Sequence, residues 1–286
     1  MVHSTRISTG FLLKISWILK VFSVVGSSKI PSVYSKGSCL NLVGIVTAMR
    51  VEASCITTRH LPLGKMVTLG ESTAIWLCGM GEEAARSAAT GLQAGGATTL
   101  ISFGIAGALD SVLRPGDLVL PESVYSGYSL PVSLDWRARI QQHLPSHLRV
   151  TGGKLAASKQ VLTSVVEKRE LAESTGACAV DLESGAVAEV AANAGIPFLA
   201  IRAIADPMEF SPPSALLNAV HPDGSANLAR ILSLLLQRSV TLSTLLRLAT
   251  GLRTARTTLS TVVLHAGMEL GIQPSHATTE YQIDKK

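Results

Sequence analysis

The strongest constraint on the fold is a series of short, nearly continuous apolar runs that alternate with helical stretches from Val43 onward. Such runs are typical of strands buried on both faces of a parallel or mixed sheet. They predict strands over residues 43–48, 73–78, 98–103, 117–121, 178–181 and 198–204. Apolar periodicity predicts helices over 82–94, 164–174, 184–194, 225–237 and 242–264. The alternation indicates a single α/β domain of three layers, in which helices flank a central mixed sheet.

The composition supports a globular chain. Its 286 residues are 47% hydrophobic and 16% charged, which allows a sizeable core and argues against intrinsic disorder. The four cysteines have no Cys-x-x-Cys spacing, so a zinc ribbon, a thioredoxin motif or a disulfide framework is not expected. The histidines show no ligand spacing, so no metal is expected. We therefore expect a protein of a reducing compartment.

The net charge of +5 resides at the two ends of the chain. Residues 1–42 carry five basic residues and no acid, whereas 43–223 carry 13 basic and 17 acidic residues. The segment 224–268 has five arginines and no acid. Because the body has no basic face with interleaved aromatics, nucleic-acid binding is not expected. The segment 242–264 either packs on the sheet or forms a basic amphipathic surface that contacts an anionic membrane or an apolar substrate.

The N-terminal segment 1–42 lies upstream of the predicted fold. Its apolar run at 11–25 contains two lysines and is too short to span a membrane. Three interpretations stay open: a disordered or artefactual extension, a signal peptide, and an amphipathic membrane contact. We expect the folded domain to occupy 43–268 and a polar tail to occupy 269–286.

The segment GMGEEA at 79–84 matches the glycine pattern of dinucleotide-binding turns. That interpretation requires an acid at the end of the next strand, and none is present there. Glu82 and Glu83 would also repel a pyrophosphate at the start of the helix. We therefore expect a tight turn, centred on Gly81, close to a sugar or an anion.

Three acids stand where predicted strands end: Glu52, Glu183 and Asp206. In open α/β sheets, ligands bind outside the carboxyl ends of the strands, so these acids are predicted to converge on one cleft. Each alone could cap a helix or be solvated. A predicted glycine turn stands beside them, formed by Gly104, Ile105, Ala106 and Gly107.

Three segments carry a resemblance to a known family: GIVTAM, SFGIAGALDSVLRPGDLVLPESV and AVDLESGAVAEVAANAGIPFLAIRAIADP. In this order they resemble the nucleoside phosphorylase/nucleosidase family, in particular methylthioadenosine/S-adenosylhomocysteine nucleosidases, over nearly all of 43–210. VDLESGAVA, RPGDLVLP and SPPSALLNAV are most similar to the hopanoid-associated phosphorylase branch. The resemblance implies a homo-oligomer in the cytoplasm, or at the inner membrane surface, that releases adenine and ribosylhopane from adenosylhopane.

The same resemblance implies roles for individual residues. Asp206 would protonate N7 of the purine, and Glu52 would activate the attacking water. Glu183, with Leu182, would hold the ribose near its developing positive charge. Gly81 and the glycine turn at 104–107 would lie at the sugar or the nucleophile. Arg202 would orient the loop after its strand or an acid, and Val161 and Leu162 would line the base pocket.

Two departures from the family pattern bear on the nucleophile and the substrate. The family often has Ser or Thr where this chain has Ile105, and the related phosphorylases have a phosphate-binding arginine where it has Ser102. These changes favour water over phosphate, although phosphate stays open as a co-substrate. Val161 replaces a base-stacking Phe, which suits a substrate bound mainly through a large apolar 5′ group.

Three alternatives stay open. The chain could be an ordinary methylthioadenosine/S-adenosylhomocysteine nucleosidase or a phosphate-dependent purine nucleoside phosphorylase. It could also be a non-catalytic nucleoside-binding module. No cofactor is expected apart from phosphate.

Overall fold

The computed structural model describes residues 41–272. Its strands are β1 (Leu42–Thr47), β2 (Met66–Leu69), β3 (Thr73–Leu77), β4 (Ala97–Ala108), β5 (Leu118–Val119), β6 (Ser123–Tyr125), β7 (Ser129–Pro131), β8 (Val150–Thr151), β9 (Lys154–Ala157), β10 (Ala179–Asp181) and β11 (Phe198–Asp206). Its helices are α1 (Arg50–Ala53), α2 (Glu82–Ala94), α3 (Leu134–His143), α4 (Val165–Thr175), α5 (Ser184–Ala194), α6 (Leu228–Leu236) and α7 (Leu242–Ala266). Two 3-10 helices cover Ser214–Ala219 and Gly267–Leu270.

The strands form one mixed sheet in the order β2-β3-β1-β4-β10-β9-β6-β7, and β11 pairs with both β4 and β5. Strands β3, β1, β4 and β11 run parallel, so their carboxyl ends meet at one edge. Successive residues of β1 point to opposite faces, since Ile45 and Val46 belong to different apolar clusters. Helices α2 and α5 cover one face, and α3 and α7 cover the other. This arrangement confirms the predicted α/β fold with a mixed sheet between helices.

The predicted elements are present, with ends that differ by a few residues. The predicted helix over 225–237 begins later, at Leu228, because the Asn227 side chain accepts a hydrogen bond from Arg230 N and caps the helix there. The sequence did not indicate α3 or the short strands β2 and β6 to β9. Strands of two to four residues are too short to show a period in the sequence.

The predicted glycine turn at 104–107 is wrong. Strand β4 continues through these residues to Ala108 and pairs with β11, opposing Arg202 to Gly104 and Ile204 to Ala106. Glycine is needed here for space rather than for a turn. A Cβ atom at Gly104 would overlap Oε1 of Glu52 and lie 2.6 Å from Nη1 of Arg202.

The ordered fold extends past residue 268. Leu270 and Ile272 are buried in the cluster that packs α7 on the sheet. Residues 1–40, which hold most of the predicted extension, and 273–286 of the predicted tail lie outside the described residues. Within 41–272, no helix combines the length and hydropathy that crossing a membrane requires.

Candidate active site

A cavity of about 310 Å³ opens where β1, β4, β10 and β11 end. Glu52, Glu183 and Asp206 all line it, so the structure brings the three acids of the sequence prediction together. Other predicted site residues line the same cavity: Ile105, Ala106, Gly107, Val161, Leu162 and Leu182. Gly81, Gly104 and Arg202 are not among its lining residues. Gly81 N donates to Glu183, Gly104 adjoins Glu52, and the charge of Arg202 acts on Glu52.

Glu52 is buried in the single turn of α1 that follows β1. Its Oε2 accepts hydrogen bonds from Thr47 Oγ1 at 3.1 Å and from the backbone N–H groups of Ala48 and Met49 at 3.0 and 2.9 Å. Its Oε1 accepts from Ile105 N at 2.9 Å. Burial raises the pKa of Glu52, and the charge of Arg202 and these hydrogen bonds oppose that rise. Glu52 is thus a carboxyl group whose two oxygens are held by four hydrogen bonds and whose pKa is raised by burial.

Glu183 precedes the first residue of α5 and is buried. Its Oε1 accepts from Gly81 N at 2.8 Å, and its Oε2 accepts from Leu182 N at 3.3 Å. Gly81 has φ of 104°, a conformation that favours glycine, so this turn aims its N–H at the acid. Burial, followed by the charge of Asp181, raises the pKa of Glu183 to about 7. The turn predicted to lie near a sugar thus contacts an acid of the cavity.

Arg202 is buried in β11 beneath the acids. Its Nε donates to Asp181 Oδ2 at 2.5 Å, and its Nη2 donates to the hydroxyl oxygens of Ser102 and Ser184. Ser184 also donates to Asp181. Of the two roles expected for Arg202, the contacts fit orienting an acid rather than the loop after its strand. Ser102 is buried within this network and does not line the cavity.

Lys168 is a site residue that the sequence reasoning missed. It is buried on α4, and its ammonium group forms an ion pair with Asp206 Oδ2. It also donates to the carbonyl oxygens of Pro207 at 3.0 Å and Phe210 at 2.8 Å. Three acceptors satisfy the three N–H bonds of a charged lysine. The available signal was its place among Leu171 and Ala172, three and four residues on, on the inward face of the helix.

Asp206 is under two opposing influences. Burial raises its pKa, and the Lys168 ammonium partly counteracts that rise through its charge and its hydrogen bond. The net direction is upward, which favours a carboxyl group that can carry a proton. Gly107 leaves room for it, because a Cβ atom there would lie 3.0 Å from Asp206 Oδ2.

The rest of the cavity is apolar. Val161 and Leu162 lie near Lys168, and no aromatic residue of the described range lines the cavity. The far end is enclosed by the 3-10 helix Ser214–Ala219, by α6 and by α7. The lining side chains there are Leu216, Leu217, Val220, Ile231, Leu245, Leu248 and Leu252. No group of three or more His, Cys, Asp or Glu residues within 41–272 is placed to hold a metal ion.

Comparison with known proteins gives a family and a set of similar folds. The model of the Phosphorylase superfamily matches residues 48–237. No curated protein matches the chain. Among solved structures, 5′-methylthioadenosine/S-adenosylhomocysteine nucleosidase from Neisseria meningitidis, in complex with methylthio-immucillin-A, has a TM-score of 0.60 at 18% identity. The match covers 81% of this chain and 99% of the nucleosidase.

Two structures from Helicobacter pylori are similar to a comparable degree. A mutant of its 5′-methylthioadenosine nucleosidase, with 5′-methylthioadenosine in the active site, has a TM-score of 0.55 at 20% identity and covers 70% of this chain and 99% of its own. Its futalosine hydrolase has a TM-score of 0.57 at 20% identity, and the match covers 78% of this chain and 97% of the hydrolase. At these identities the likenesses establish the fold.

Proposed function

The chain belongs to the phosphorylase superfamily and is an enzyme that cleaves N-ribosidic bonds, and we propose that its substrate is an adenosine with a large apolar 5′ substituent, of the adenosylhopane class. The observation that carries the proposal is a single cavity with two chemically different ends. One end has three acids for the nucleoside. The other is enclosed by leucines, an isoleucine and a valine, which would contact an apolar 5′ group.

The acids have the properties that cleavage of the bond requires. Asp206 donates a proton to N7 as the C1′–N9 bond breaks and its electrons pass to the purine. Glu183 accepts hydrogen bonds from the ribose hydroxyls and stabilises the positive charge that develops on the sugar. Glu52 accepts a proton from the water that attacks C1′. The products are adenine and the 5′-substituted ribose, as expected for a hydrolase.

The charges in the cavity favour water over phosphate as the nucleophile. Lys168 is the only cationic residue of the described range that lines the cavity. Its ammonium group is already bound by three acceptors. A phosphate dianion needs cations or several free N–H donors in a dry site. Phosphorolysis therefore finds little support in this arrangement.

The second candidate function is cleavage of 5′-methylthioadenosine, which the solved nucleosidases of the same fold favour. It uses the same acids and differs only in the 5′ group. The methylthio group would leave the far end of the cavity largely unfilled. Apolar lining that contacts no ligand contributes nothing to binding. This is why the apolar substrate is the preferred proposal.

The test is adenine release from adenosylhopane in detergent, with and without phosphate, compared with release from methylthioadenosine. We expect phosphate-independent release that Asp206→Asn lowers by about 10²- to 10⁴-fold. Glu71→Gln, at an exposed acid of the β2–β3 turn, is the control for general effects of removing a charge. Release only with phosphate would make the enzyme a phosphorylase. Release from methylthioadenosine alone would overturn the apolar substrate, and no release from either nucleoside would favour a binding module. Unchanged release by Asp206→Asn would overturn the role of Asp206 as the acid.

A further inference from the structure

Helix α6 leaves three leucines uncovered on its outer side. Leu228 is 42% exposed, Leu232 is 49% exposed and Leu236 is 78% exposed. Their spacing of four residues places them on one face of the helix. Most other large exposed apolar side chains of the described range are scattered, and single exposed apolar residues are normal. A row of three on one short helix indicates a surface that another apolar phase covers.

The inner side of the same helix faces the cavity. Ile231 lines the cavity, and Leu234 and Leu235 pack in the small apolar cluster that surrounds it. A single helix thus separates the cavity from the outside at this point. Leu217, on the adjoining 3-10 helix, both lines the cavity and is 42% exposed, so it marks an opening beside the uncovered leucines.

The charge carried by α6 and the residues just after it is positive. Arg230 is exposed on α6, and Arg238 is exposed just after the helix ends. The whole segment 224–268 contains five arginines and no acid. Two acids precede it nearby, and each has an arginine partner: Asp223 lies 2.6 Å from Arg50, and Glu209 lies 3.9 Å from an arginine of α7.

We propose that the outer face of α6 binds the surface of an anionic phospholipid bilayer, with Leu228, Leu232 and Leu236 inserted at the headgroup boundary. Exposed leucines on one side of α6, together with exposed arginines at Arg230 on the same helix and at Arg238 just after it, are features that interfacial binding uses. A second copy of the chain fits less well, because a two-fold contact would bring two positive surfaces together. The inference rests on the proposed function, since it gives an apolar substrate a route from the bilayer past Leu217 into the cavity.

The first test is sedimentation of the full chain with phosphatidylcholine vesicles and with vesicles that contain 30 mol% phosphatidylglycerol. We expect binding to the anionic vesicles that falls by about tenfold in the double variant Leu232→Gln/Leu236→Gln. The matched control is Leu264→Gln/Met268→Gln, which removes two exposed apolar residues of equal spacing elsewhere. Residues 1–40 are present in every sample, so a difference between variants reports on the substituted helix.

The second test locates the contact. Leu236→Trp keeps the apolar face and adds a fluorescent side chain to it. After the fluorescence of the unsubstituted chain is subtracted, the remaining signal should be quenched by brominated lipid in the anionic vesicles. Leu264→Trp, whose side chain is also exposed, should not be quenched. Binding that is equal in the double variant and the unsubstituted chain would overturn the proposal. Vesicle binding without quenching of Leu236→Trp would overturn it as well.

The outcomes separate this inference from the proposed function, because vesicle binding is measured without substrate. If the chain binds vesicles through α6 but releases no adenine from adenosylhopane, the docking surface is supported and the proposed substrate is overturned. Turnover of adenosylhopane in detergent without vesicle binding would support the substrate and overturn the docking surface. Failure to bind vesicles, together with an oligomer that only the double variant of α6 dissociates in sedimentation velocity, would assign the face to a second copy.

Discussion

The two ends of the cavity are built by different kinds of structure. The acid end belongs to the sheet, where Glu52 and Asp181 are held by hydrogen bonds from several strands and from Arg202. The apolar end is formed largely by residues 207–241, here called the cover, together with α7. The cover packs in a separate small cluster around Leu216 and Ile231. The comparison teaches that the two ends depend on different interactions: hydrogen bonds and an ion pair within the sheet at the acid end, and apolar packing at the other end.

The cover is joined to the body at a few defined points. Met80 N donates to Pro222 O at 2.8 Å, and Arg50 pairs with Asp223 at 2.6 Å. At the start of the cover, Lys168 binds the carbonyl oxygens of Pro207 and Phe210 as well as the nearby carboxylate of Asp206. Lys168 therefore contacts both the acid and the cover, and it is the place where the two regions meet.

The largest expected effect tests whether the acid end supports the fold. Arg202→Met leaves Asp181 buried without its cation, and we expect a loss of about 3–5 kcal/mol in the free energy of unfolding. Urea unfolding measures it. The control is Arg139→Met, which removes an exposed ion pair with Glu269 and should cost about 1 kcal/mol or less. Equal losses in the two variants would show that the buried ion pair supports the fold no more than an exposed one does.

The next prediction concerns the residue that joins the regions. Lys168→Met removes the charge that holds down the pKa of Asp206, while the burial that raises this pKa remains. Asp206 then keeps its proton to higher pH. The alkaline limb of kcat/KM, where the acid is lost, should move to higher pH by about 1–3 units.

The measurement is the pH profile of adenine release. Lys159→Met, at an exposed lysine of the same region, should leave the profile in place. A profile that Lys168→Met does not move would show that the ion pair has no influence on the acid.

The smallest expected effect tests whether the apolar end binds the 5′ group. Leu248→Ala removes part of the lining on α7, and we expect KM for the apolar nucleoside to rise about tenfold through lost contact area. KM for methylthioadenosine should stay unchanged, because its 5′ group does not reach so far. Leu264→Ala, on the exposed side of the same helix, is the control. An equal rise for both substrates would contradict the division of the cavity.

The two regions also differed in what the sequence could predict. The three acids were placed correctly at one edge because each follows a strand whose apolar run is easily recognised. The cover carried a helix prediction with no indication that Ile231 faces a cavity while Leu232 faces outward. Both residues are apolar, and their burial depends on how α6 packs against the 3-10 helix and α7, which the periodicity of a single segment does not show.

Other errors have local causes. Gly104 and Gly107 suggested a turn because glycine has that role most often. In the structure they make room for side chains from α1 and β11, and single-sequence patterns do not show such contacts. Lys168 was overlooked because lysine on a helix is normally solvated, and only its neighbours on the inward face indicated burial.

The missing Cβ atom of Gly104 has a consequence for the history of such chains. A side chain at this position would overlap Glu52 and crowd Arg202, so no residue larger than glycine is compatible with the present acid. Natural selection can relax position 104 only in a lineage that has already given up Glu52. A side chain at position 104 in a distant descendant therefore marks a chain in which the acid at position 52 has been lost or has moved.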